Sequence, residues 1–197
     1  SRPELSVPDL QFLFRGAPPD AQMWFPGIKK AYTDGFGMRP VLLHPESRGQ
    51  LKLRSSNPTD KPRIIQNFLE SPNDLPVLRE GIKIVRDIIS QNSMDKWRGT
   101  EVDPGMDVKS DDEIDQWIKQ NAITAHHPSC TCPMGIGEEA VLDPELKVRG
   151  VENLRVIDAA SMPDLVSGNI NACVLMIAEK AVDMIQGKPP LPSADGI

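Results

Sequence analysis

Nowhere in these 197 residues do eighteen apolar residues follow one another, so no helical membrane span is expected. Clustered lysine and arginine are equally lacking. With a net charge of −6 and a pI near 5.1, the chain has no electrostatic footprint for nucleic acid. Cysteine is scarce: of three residues, two stand at 130 and 132, too few for a disulfide framework. A reducing, cytoplasmic compartment is the expectation. The sequence opens Ser1-Arg2-Pro3-Glu4, with no starting Met, basic flank or apolar signal region, which reads as a missing or cut N-terminus. What the chain does have is proline, nineteen of them, which favours many short elements joined by turns over a helical bundle. At 39% hydrophobic it suffices for one core, or for a domain and part of another.

The first seventy residues read as strands separated by turn formers. Leu10, Phe12 and Phe14 alternate with other residues as on a half-buried strand. Met38 to His44 is a second candidate and Gln50 to Arg54 a third, with Pro45-Glu46-Ser47-Arg48-Gly49 between them as a hairpin-like connection. Ile64 to Leu69 is a fourth. Together they predict an antiparallel sheet with one covered face. Two helices follow. Asn73 or Asp74 is placed to cap one in which Leu78, Ile82, Val85 and Ile89 recur at helical spacing, with Pro76 in its first turn. Ser110 and Glu113 form a capping box for another through Ile114, Trp117 and Ile118. Leu154 to Asp158 reads as a compact strand ending in a carboxylate. Ala172 to Ile185 reads as a helix on Val174, Ile177, Ala181 and Ile185. The expected organisation is a domain portion over 1–125, a second segment over 126–186, and a flexible tail over 187–197.

Chemistry has two places to reside. The first is His126-His127-Pro128-Ser129-Cys130-Thr131-Cys132-Pro133-Met134-Gly135, which holds every histidine but His44. An imidazole titrates nearest neutrality and suits proton abstraction from an alcohol. Two His and two Cys within seven residues also admit a metal, but zinc sites space their ligands differently and draw a second pair from elsewhere, and none remains here. A packed loop with a buried His and inert thiols is the plainer alternative. The second place is the strand, loop and helix over 154–185. Its helix N-terminus stabilises negative charge, and Asn169 and Asn171 serve either as caps or as ligand contacts.

These stretches carry a resemblance. His127-Pro128-Ser129-Cys130-Thr131-Cys132-Pro133-Met134-Gly135 resembles the histidine motif of the glucose–methanol–choline (GMC) oxidoreductases. Leu154-Arg155-Val156-Ile157-Asp158-Ala159-Ala160-Ser161-Met162-Pro163 is similar to the strand and loop that follow it there. Gly168-Asn169-Ile170-Asn171 through Met176-Ile177-Ala178-Glu179-Lys180 looks like the family's closing segment and final helix. His44-Pro45-Glu46-Ser47-Arg48-Gly49 resembles a recurrent turn of its substrate domain. The wording is nearest the bacterial choline-dehydrogenase-like branch.

The resemblance implies an α+β chain that is α/β in the full protein. An antiparallel-sheet substrate domain with backing helices would be followed by a C-terminal segment completing a Rossmann-type FAD domain. FAD is the implied cofactor and no metal is implied. The implied partners are a small-molecule alcohol and an N-terminal FAD-binding half, because no G-x-G-x-x-G occurs in this sequence. His127 corresponds to the catalytic histidine, which takes the substrate hydroxyl proton as hydride passes to flavin N5. Asn169 corresponds to the second group on the same oxygen, and Asp158, Ala159, Asn169, Ile170 and Asn171 to flavin contacts. His126 stands where an aromatic residue is frequent in the family. A lyase that keeps FAD without redox turnover, a non-catalytic binding module and a metal-dependent hydrolase are the rival expectations.

Overall fold

A computed structural model describes residues 1, 4–17, 21, 25, 27 and 34–192. Residues 193–197 of the expected tail lie outside the described residues. The chain divides into two compact units, one made of Ser1–Gly49 and Ile65–Ile123, the other of Gln50–Ile64 and Thr124–Ile197.

In the first unit β1 (Leu10–Arg15) pairs antiparallel with β2 (Gly37–Leu42), Phe12 lying opposite Pro40. The helix α1 (Asp74–Ser90) packs on the face that carries Leu10 and Pro40. It comes close because residue 81 is glycine: a Cβ there would sit 2.7 Å from Pro40 Cβ and 3.3 Å from Leu10 Cδ1. On the other side of α1, Ile82 meets Ile114 and Ile118 of α2 (Asp111–Asn121) in a buried cluster, with Leu75, Leu78, Val108 and Trp117 packed around it. Arg79 and Lys83 of α1 pair with Asp111 and Asp115 of α2 along the solvent edge. The Ser110–Glu113 capping box forms as the sequence predicts.

Several expectations are corrected. The strands do not join one sheet. Among the described residues β3 (Gln50–Lys52) pairs with β4 (Arg63–Ile65) alone, and β1 with β2. Pro40 gives one physical reason, since it removes a donor from β2 and confines that strand to an edge. Consequently Pro45 to Gly49 is no hairpin turn between β2 and β3. It is tied to α1, where the buried Asp74 carboxylate accepts from Glu46 N–H at 2.8 Å, from Ser47 N–H at 3.0 Å and from the Ser47 hydroxyl. Asn73 occupies the N-cap position of α1 but its side chain caps nothing. Gly49 closes the turn, because a Cβ there would lie 2.6 Å from the Ile65 carbonyl oxygen.

The second unit is built on loops around one buried cluster: Leu142, Leu146, Met162, Ile177 and Ala181. Ile177 and Ala181 come from α3 (Asn171–Ile185). Leu154 to Asp158 is not a strand here. Its residues make a single bridge, Lys147 to Arg155, flanked by bonds from Val148 N–H to Leu154 O and from Val156 N–H to Leu146 O. β-branched composition suits a strand, but a strand requires a neighbour, and this segment finds one rung. Leu146 enters the core with φ +65°, an unusual value for leucine. The Asp143 carboxylate secures that turn by accepting from Glu145 N–H at 2.8 Å and Lys147 N–H at 3.0 Å. Among the described residues, no helix is long and apolar enough to cross a membrane.

Candidate active site

The histidine loop begins beyond α2, which ends at Asn121, and the Thr124 hydroxyl accepts from His126 N–H at 3.0 Å. His126 itself has φ +62°, a left-handed conformation that reverses the chain direction. It is exposed, while His127, one residue on, is half-buried. Cys130 also has φ +62°. Beyond it the loop is fastened along its length: Cys130 N–H donates to Ala159 O at 3.1 Å, Cys132 N–H to Ala160 O at 2.9 Å and Met134 N–H to Ser161 O at 2.9 Å. Cys130, Cys132 and Met134 then pack on the buried cluster. Gly135 N–H to Leu142 O at 3.1 Å, with Arg149 donating to Gly135 O at 2.8 Å, ends the loop.

The acceptors of Cys130, Cys132 and Met134 N–H all belong to a 3-10 turn over Ala159–Ser161. Asp158 caps this turn, its carboxylate accepting from Ala160 N–H at 2.7 Å. Ser161, with 0% of its surface exposed, donates its hydroxyl to Asp158 O at 2.7 Å. Thus the carboxylate predicted to contact a cofactor is committed to its own turn, and the turn in turn holds the loop that carries His127.

The other predicted residues lie at the start of α3. Ile170 is the N-cap, half-buried and packed on the cluster, and no side chain caps the helix. The expectation that Asn169 or Asn171 caps it is therefore corrected: both are exposed and neither caps. The reason is positional, since the N-cap position falls on the isoleucine between them, which has no acceptor. With no acceptor on the N-cap side chain, the N-terminus of α3 suits an electron-rich group. Among the described residues no hydrogen bond joins His127 to Asn169. The structure brings the His127 loop together with Asp158–Ser161, and it seats Ile170 and Cys173 on the same buried cluster. Ser161 is the residue that sequence reasoning missed. Its signal is faint, an acid followed three residues later by serine across two alanines, the pattern of a capped turn.

Comparison with known proteins places this arrangement in context. The family profile described as GMC oxidoreductase matches residues 45–178. An oxygen-dependent choline dehydrogenase of Vibrio vulnificus is 43% identical over 98% of this chain and 34% of its own length. The solved pyridoxine 4-oxidase of Mesorbium loti superposes with a TM-score of 0.74 at 31% identity, over 84% of this chain and 33% of that one. A mutant formate oxidase of Aspergillus oryzae, solved to follow the effect of mutation on FAD modification, gives a TM-score of 0.77 at 28% identity, over 93% of this chain and 32% of that one. The chain therefore spans about a third of the length of the relatives it matches.

Proposed function

This chain belongs to the GMC oxidoreductases, and on that footing we propose that it forms the C-terminal part of an FAD-dependent enzyme oxidising a primary alcohol to an aldehyde. The observation that carries the reading is the lashing of the His127 loop to the Asp158–Ser161 turn. One hydrogen-bonded unit then bears both the candidate base and candidate cofactor contacts.

FAD fits the residues present. The first turn of α3, whose N-cap isoleucine has no acceptor, offers amides to an electron-rich ring edge, and the exposed Asn169 and Asn171 offer side-chain donors beside it. The backbone of Asp158 and Ala159, with Ile170 and Asn171, would hold the cofactor at that edge. When bound, FAD supplies the hydride acceptor. The Gly-rich phosphate loop is assigned to an N-terminal FAD-binding half, the partner on which Leu154–Asp158 becomes a strand of a Rossmann-type sheet. In support, Leu175, Val182 and Ile185 leave 45–58% of their surface exposed on one stripe of α3, an apolar face awaiting cover.

The chain's own work is proton handling and positioning. His127 Nε2 or Nδ1 takes the proton of the substrate hydroxyl, and half-burial shields that transfer from bulk water. Asn169 donates a hydrogen bond to the same oxygen as charge gathers on it, so that two groups fix one atom. His126, exposed and turned by its left-handed backbone, is not the base.

The test is steady-state turnover of a choline-type primary alcohol by the full-length protein. His127→Ala lowers kcat by roughly a hundredfold or more, the range for losing an acid–base group, with FAD content unchanged. His126→Ala stays within severalfold. Intact turnover in His127→Ala with loss in His126→Ala would reverse the assignment.

A further inference from the structure

Ser161 is a fully buried polar side chain that the reaction does not use. Its hydroxyl is sealed from solvent, yet it donates at 2.7 Å to Asp158 O, the same carbonyl that accepts Ser161 N–H at 3.1 Å. Both ends of the Asp158–Ser161 turn are thereby closed on one oxygen. The Asp158 carboxylate closes the middle through Ala160 N–H. What this turn exposes outward is equally specific: three successive carbonyls, of Ala159, Ala160 and Ser161, each taking an N–H of the His127 loop. Alternate residues of the loop, Cys130, Cys132 and Met134, thus meet consecutive residues of the turn. That match holds only while the turn keeps its tight 3-10 rise.

We propose that Ser161 is a positioning residue: by locking the 3-10 turn it sets where the His127 loop sits relative to Asp158 and Ala159. It acts through His127 and touches no reacting atom. This inference rests on the reading of His127 as the base. Relaxing the turn shifts the three carbonyls, and the loop they hold moves with them. A displacement well under an ångström is costly where a base must meet one proton. The buried cluster still holds Met162 and Ile177, so the fold itself survives the change.

The experiment is a double-mutant cycle in the full-length, flavin-loaded protein. Ser161→Ala is expected to lower kcat roughly ten- to hundredfold, from the sensitivity of positioned chemistry to small displacements. KM for the alcohol stays within about twofold and flavin absorbance per protein is unchanged. In a His127→Ala background the same Ser161→Ala substitution costs nothing further, because its effect is routed through the missing imidazole. A purely structural role predicts the opposite, an equal further loss in both backgrounds, and that result overturns the proposal. So does a kcat equal to that of the parent. Should Ser161→Ala fail to fold, Ser161→Cys, which keeps the volume and a weak donor, carries the same cycle with a smaller first step. If His127→Ala itself turns over at the parental rate, the proposed function has failed; if His127→Ala is slow while Ser161→Ala is fast, only the present inference has.

Discussion

Replacing Gly81 with alanine sets two effects of opposite sign against each other, and the structure decides between them. Position 81 is in the interior of α1, where Ala is favoured over Gly by about 1 kcal/mol. On propensity alone Gly81→Ala stabilises. The added Cβ, however, would meet Pro40 Cβ at 2.7 Å, Leu10 Cδ1 at 3.3 Å and Pro40 Cγ at 3.4 Å. Leu10 is able to turn away, but Pro40 sits on a rigid ring in a paired strand, so β2 or α1 must shift by most of an ångström. Overpacking of this kind costs about 1–3 kcal/mol. Set against the propensity gain, the net is a loss of about 1 kcal/mol. Urea or thermal unfolding of the full-length protein measures it, with Gly81→Ser as a companion of nearly equal bulk. A variant more stable than the parent by about 1 kcal/mol would refute the close packing of α1 on β2.

Asp74→Ala removes the acceptor for two backbone N–H groups and a hydroxyl in a buried place, and should destabilise by about 3 kcal/mol, read by urea unfolding. Leu146→Ala opens the buried cluster of the second unit and should cost about 2–5 kcal/mol by the same measurement. The Glu113 carboxyl is held below its ordinary value of 4.5 chiefly by the N–H of Ser110, with that of Lys109 next. A depressed acid stabilises the fold above its ordinary value, and that contribution disappears as pH falls from 4.5 through the folded value. The stability gap between parent and Glu113→Gln should therefore close on acidification through that window; a gap that widens instead would contradict the capping role.

Legibility in the sequence follows the range of the interaction concerned. The α2 capping box and the spacing of Ile114 and Ile118 are local, and both stand as read. The alternation of Leu10, Phe12 and Phe14 correctly announces a strand, but its partner is a matter of distant contacts, and one sheet proves to be two. Asp74 reads locally as a helix cap. Its actual partners, Glu46 and Ser47, lie twenty-eight and twenty-seven residues earlier, where no periodicity points. Leu154 to Asp158 has strand composition without strand pairing, since pairing is a property of neighbours and not of the segment. At the candidate site motif order pointed to particular residues, whereas their structural support was not legible. That Asp158 caps its own turn, that the turn carries the His127 loop, and that Ser161 seals it depend on backbone geometry that side-chain pattern does not encode.

If His127 serves an FAD-dependent oxidation of an alcohol, anaerobic mixing reveals it. The full-length protein, purified with its flavin, is mixed with a choline-type primary alcohol in the absence of oxygen while the oxidised-flavin absorbance is followed. The band is expected to bleach with formation of one aldehyde per flavin, and His127→Ala to slow the bleaching by roughly a hundredfold. A flavin that stays oxidised while the alcohol is consumed would contradict it, and so would bleaching that is indifferent to His127.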